Sequence, residues 1–209
     1  MDFGPVYNGG GKQFTDNWGC VWRSEIGGIE GQVVGHPLDD WSKLETYQPP
    51  DPLVQGDRGP VDWESARRRN TEAKQRGELT TGGVAHGFLF MRLYYLRGFE
   101  NLMLDIATGD PSLQRLIDII VGHSRIIVEQ YLDMGVDQMG FGEDLGTQTA
   151  SAISPTHFRK WIAPAYKSLM QPCREAGMEV HVHSDGYVME LIPILRQCGV
   201  TIINPQDLC

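Results

Sequence analysis

Gly177-Met178-Glu179-Val180-His181-Val182-His183-Ser184-Asp185-Gly186 alternates apolar and polar side chains between two glycines. Successive side chains of a strand point to opposite faces, so Val180 and Val182 share one face while Glu179, His181 and His183 share the other. The segment before it opens on a Ser154-Pro155 cap, keeps helical spacing and stops at Gly177. A helix that ends in glycine and passes at once into an apolar strand recurs at Gly135-Val136 and Gly199-Val200. Strands and helices alternating in this way imply parallel βαβ units, in a closed barrel or an open doubly wound sheet. No Gly-x-Gly-x-x-Gly follows a strand, which weighs against a dinucleotide-binding form of the open sheet.

The same grammar extends outward from this stretch. Ala85 to Leu93 reads as a buried strand that runs into a helix near Tyr95, closed by Asp105 to Gly109. Asp110-Pro111 gives an N-cap and first-turn proline for a helix with Leu113, Leu116, Ile117 and Ile120 on its apolar side, ending at Gly135. Val136 to Phe141 and Met178 to His183 read as strands, Tyr187 to Cys198 as a shorter helix, and Val200 to Ile203 as a final strand. Residues 1–81 are different in character, rich in Gly, Pro, Asp and Trp. Turn signals stand at Asn8-Gly9-Gly10-Gly11, Pro49-Pro50-Asp51-Pro52 and Arg58-Gly59-Pro60. The expectation is an irregular front section over 1–81 whose only strand is Gly19 to Arg23, fastened by Trp18, Trp22, Trp41 and Trp63 to β/α units over 82–209. Roughly four strands fall short of the eight of a full barrel, and no covering helix follows Ile203. The simplest expectation from this count is a chain truncated at its C-terminal end, with barrel and open sheet both still possible.

Composition excludes several functions. The 209 residues, 41% hydrophobic and 22% charged, suit one globular core. A net charge of −9 argues against nucleic acid, and the one basic cluster, Arg67-Arg68-Arg69, reads as a solvated helix face between Ser65 and Glu78. No apolar run is long enough for a membrane span, and Met1 to Lys12 has no apolar core of a signal peptide. Cys20, Cys173, Cys198 and Cys209 form no CxxC pair, which fits a cytoplasmic protein.

In parallel α/β folds chemistry lies beyond the carboxyl ends of the strands. That rule selects residues 142–148, with Glu143, Asp144 and Gln148, residues 181–186, with His181, His183 and Asp185, and residues 204–206, with Asn204. Imidazoles at i and i+2 with carboxylates near by suit a divalent metal, held by His183, Glu143 and Asp185, or general acid–base work by Glu143, Asp144, His183 and Asp185. A structural network of satisfied buried polar groups is the plain alternative. His181, Tyr94, Arg92, Gln148 and Asn204 are the groups expected to hold a small-molecule substrate, and Gly142 and Gly146 would let it approach the backbone.

Leu96-Arg97-Gly98-Phe99-Glu100-Asn101-Leu102, Glu143-Asp144-Leu145-Gly146, Ile153-Ser154-Pro155, His183-Ser184-Asp185-Gly186 and Ile203-Asn204-Pro205 together resemble the uroporphyrinogen decarboxylase superfamily. Asp16-Asn17-Trp18-Gly19 and Pro37-Leu38-Asp39-Asp40-Trp41 fit its front section. The resemblance implies a partial (β/α)8 barrel, a fragment lacking the first barrel strand and the final strands and helices, and two candidate chemistries. True decarboxylases need no cofactor and grip their substrate with an arginine-rich opening segment, which this sequence lacks. Cobamide-dependent methyltransferases use zinc, a His-x-Cys-Gly motif and a corrinoid protein as methyl carrier. Here Asp185 stands in the cysteine position, giving a harder site. The methyltransferase-like branch is expected, with decarboxylation and an inert fragment as alternatives.

Overall fold

The computed structural model describes residues 12–24 and 31–206. The turn signal at Asn8–Gly11 and the chain end with Cys209 lie outside the described residues.

Four parallel strands form the body. They are β4 (Thr81–Gly83), β5 (Gln138–Glu143), β6 (Glu179–Asp185) and β7 (Ile202–Gln206), paired in the order β4-β5-β6-β7. A doubly wound sheet reverses its order at a switch point. Here sequence order and spatial order coincide, which is the winding of a barrel wall. The helices are α2 (Phe90–Arg97), α3 (Phe99–Thr108), α4 (Pro111–Met134), a short α5 (Pro155–His157) continued by a π turn into α6 (Ala163–Glu175), and α7 (Ile192–Gln197).

Several local signals act as expected. Asp110 accepts from the Ser112 amide and Gly135 closes α4 in the left-handed region at φ 61°, where a side chain would be strained. Ser154 accepts from the His157 amide at the start of α5. On β6 the alternation holds: Val180, Val182 and Ser184 are fully buried, while His181 and His183 are half-buried on the other face.

Two expectations are corrected. Ala85 to Leu93 is not a strand; β4 is only three residues long and lies earlier, and the apolar run from Phe88 is the buried side of α2. An apolar run of this length does not by itself distinguish strand from helix. Nor is the front section irregular. Antiparallel β1 (Lys12–Thr15), β2 (Val21–Ser24) and β3 (Gln32–Gly35) form a sheet, and Arg67–Arg69 lie on α1 (Trp63–Gln75).

All four expected tryptophans join the front to the body. Trp18 and Trp22 are buried, Trp41 donates to Asp105 at 3.3 Å, and Trp63 packs edge-on against Tyr131 of α4. α1 also closes the end of α4: Asn70 donates to the Met134 carbonyl at 2.9 Å, with Lys74 beside it at 3.2 Å.

Beneath the front sheet a buried charge cluster joins the layers. The Arg92 guanidinium pairs with Asp57, lies 3.7 Å from Asp16, and stacks 4.6 Å from the Trp18 ring centroid. Asp16 also accepts from the Trp22 indole at 2.8 Å. The other face of this cluster is His123 of α4, edge-on to Trp18 at 4.5 Å and with Nε2 unpartnered. Burial pulls the His123 pKa from 6.5 down to about 4. Its folded pKa lies below its unfolded value, so the unfolded chain takes up this proton first. The stabilisation is complete above pH 6.5 and is lost as pH falls toward 4. The expected outcome is a His123→Gln variant that, relative to the parent, loses on the order of 3 kcal/mol less stability over that interval. Urea unfolding of both proteins at matched pH checks it, and the difference cancels the other titrating groups.

Candidate active site

The carboxyl ends of β5, β6 and β7 form a row of backbone neighbours. Gly142 pairs with His183, and His183 with Asn204. The loop after β4 runs alongside, with the Val84 amide donating to the Gly140 carbonyl at 3.1 Å and the Gly87 amide to the Gly142 carbonyl at 2.8 Å. This run of bonds delivers His86 to the mouth. Gly142 is the reason its ring fits, since a Cβ there would lie 2.8 Å from His86 Cδ2.

His86, Asp144 and His183 can each turn one ligand atom toward a common point, all within 4.8 Å of one another. His86 Nε2 stands 3.2 Å from Asp144 Oδ1, and His183 Nε2 stands 3.3 Å from Asp185 Oδ1. Asp144 feels burial, which raises its pKa, but the adjacent His86 and His183 hold it below its ordinary value. His183 Nδ1 lies 3.1 Å from the Asn204 carbonyl and 2.8 Å from its Oδ1. A carbonyl only accepts, so Nδ1 carries a proton, and Nε2 is the nitrogen that faces the carboxylates. Asn204 thus orients His183, the usual duty of a group behind a metal-binding imidazole.

The other expected site residues take different places. Glu143, offered as a metal ligand and catalytic group, is fully buried and turned away from the cluster. Its carboxylate accepts from the amides of Leu89, Phe90 and Met91 at 2.6, 2.7 and 2.9 Å, closing the N-terminus of α2. Burial pushes its pKa up to about 7 against the pull of those amides. Arg92 is sealed in its ion pairs and is not available to a substrate. Gln148 is exposed on the loop after β5. His181 sits one pleat below His183, its Nδ1 unpartnered and its pKa lowered by burial and by His183. Tyr94 lines a neighbouring cleft.

Gly142 and Gly146 serve the chain itself rather than a ligand. The Gly146 amide donates to the Asp185 carbonyl at 3.1 Å, and a Cβ on Gly146 would lie 2.3 Å from the carbonyl carbon of Gly186. Gly186 has φ +77°, and its own Cβ would lie 2.4 Å from the Gly146 carbonyl carbon. His86 escaped the sequence reading because the strand was placed over it; the adjacent Gly87, at φ +71°, was the available sign of a loop.

Parallel strands in sequential order, with the loops at their carboxyl ends gathered at one mouth, place the chain in the (β/α)-barrel fold class. Within that class, the sequence model of the uroporphyrinogen decarboxylase (URO-D) family matches residues 22–207, and the chain belongs to this family. A solved structure described as a methyltransferase from Methanosarcina mazei superposes with a TM-score of 0.65 at 20% identity, over 88% of this chain and 52% of that one. The chain therefore spans about half the length of that protein, and the likeness concerns the fold. No match was found among curated proteins. Among the described residues no helix is long and apolar enough to cross a membrane.

Two substitutions test the architecture of the mouth. Glu143→Ala strands three buried amides and is expected to cost about 3 kcal/mol or more. Gly186→Ala forces a side chain against backbone at positive φ and is expected to cost about 1–3 kcal/mol. Chemical denaturation against the parent measures both.

Proposed function

We propose that this chain is the site-bearing part of a methyl-transfer enzyme of its superfamily, with a divalent metal, zinc foremost, at His86, Asp144 and His183. The observation that carries the reading is the convergence of those ligand atoms within 4.8 Å. The Asp144 and Asp185 oxygens fit it, because each faces an imidazole nitrogen, and imidazole and carboxylate together make a donor set suited to a divalent cation. Asp185 is the fourth candidate ligand, 3.3 Å from His183 Nε2. A bound zinc would supply Lewis acidity, lowering the pKa of a thiol acceptor or polarising the oxygen of a methyl donor. The protein's part is to keep His183 in one tautomer through Asn204, to hold His86 against Gly142, and to fix both loops of the mouth through the Gly146–Gly186 contact. A small-molecule substrate, a corrinoid protein as methyl carrier and a cytoplasmic setting belong to the same proposal. The description of the Methanosarcina protein as a methyltransferase supports the branch, and the buried free thiols of Cys20, Cys173 and Cys198 fit a reducing compartment.

The family's name favours decarboxylation as the second reading. That chemistry requires cationic groups to grip carboxylates, whereas the charged side chains felt by Asp144 are imidazoles and Arg92 is already paired.

Zinc is expected to bind one to one with micromolar or tighter affinity by isothermal titration calorimetry. His183→Ala and Asp144→Asn each lower that affinity at least tenfold, and Asn204→Ala lowers it roughly 10- to 100-fold through His183. Zinc binding unchanged in His183→Ala overturns the assignment, and CO2 release from a porphyrinogen would transfer the case to decarboxylation.

A further inference from the structure

Between the front sheet and α2 lies a cleft of about 350 Å³, lined chiefly by Trp22, Val33, His36, Tyr94, Tyr95 and Phe99. A larger depression of about 470 Å³ lies on α6, bordered by Lys167, Gln171 and Glu175, and contains none of the mouth residues. The aromatic cleft is chemically different. None of its described lining residues is Asp, Glu, Lys or Arg.

Its aromatic groups have spent polar atoms elsewhere. The Trp22 indole N–H donates to Asp16 at 2.8 Å, and His36 Nδ1 lies 2.8 Å from the Tyr95 carbonyl oxygen. Trp22 and Tyr95 meet at 4.9 Å, Tyr94 and Tyr95 at 4.6 Å, and Tyr94 and Phe99 at 6.0 Å, each pair steeply inclined. Rings set at such angles offer both faces and edges to a further ring, the arrangements aromatic pairs prefer. Phe99, at 49% exposure, leaves an aromatic side chain half open at the lip.

Tyr95 links this cleft to the mouth. The Tyr95 ring reaches to 3.2 Å of the Cβ position of Gly87, the residue next to His86.

We infer that the cleft holds the body of the substrate, a neutral and flat aromatic system of one or two fused rings, whose polar reacting end reaches past Tyr94 toward His86 and Asp144. This deepens the reading of the mouth as the reacting centre and rests on it for the direction of the reacting end. The volume is near the lower end of small-molecule sites, about 300–1,000 Å³. Among the described lining residues there is no Lys or Arg, which selects against an anionic ring.

The probe is 2-naphthol, with its saturated decahydro analogue as the comparison, each titrated into the chain and followed by ligand-observed NMR. The expected result is at least roughly fivefold tighter binding of the aromatic probe, reduced by Phe99→Ala and abolished by Val33→Trp, which fills the cleft. Circular dichroism checks that the filled variant folds, and the exposed Phe99→Ala keeps the test decisive if it does not. Equal binding of the two probes, or aromatic binding insensitive to Phe99→Ala, overturns the inference. Naphthol binding that persists in His183→Ala supports a separate cleft. If the parent takes up no metal yet binds naphthol there, the reading of the mouth fails while the cleft assignment stands.

Discussion

A carboxylate with no water around it must be given donors or lose its charge. Glu143 is given three, all from the first turn of α2. The bonds tie the end of β5 to a helix more than fifty residues earlier, and the loop between β4 and α2 is stretched across that tie. His86 sits in the middle of the loop, and Asp144 follows Glu143 directly. The candidate ligands from two elements are therefore positioned by a carboxylate that does not itself join them.

The front sheet plays the complementary role from the other side of α2. Arg92, on that helix, is neutralised by Asp57 and Asp16, which come from the front section. Burial alone would penalise the guanidinium, and its carboxylate partners keep it charged. Breaking either side of such a cluster leaves an uncompensated charge inside the protein. The sheet, α2 and the cleft between them consequently share one set of supports.

The repeating part of the fold was legible because its signals are local. Ser154, Asp110 and Gly135 govern caps within a few residues of themselves, and β6 has a two-residue alternation that only a strand explains. The front sheet was hidden by its strands of four residues each, too short to display a two-residue alternation. β4 is shorter still, and its two glycines offer no side-chain pattern; Gly82 has none because Tyr131 occupies the space. At the mouth, His183 and Asp185 lie at the carboxyl end of β6 and Asp144 just past β5, places that strand pattern alone indicates. The position of His86 is not so indicated, since it depends on pairing beyond the formal end of β4. Glu143 was chosen for its chemistry, and its partners are backbone amides that have no signature in the side-chain sequence.

Gly146 and Gly186 meet backbone to backbone, with no layer of side chains between them. Side chains can slide and repack, but two main chains in direct contact have little room to do so. The loops after β5 and β6 are thereby coupled as a single rigid piece, and any displacement of Asp144 must carry Asp185 with it. A ligand held by one acid would therefore meet the other at a spacing set by main chain rather than by side-chain packing.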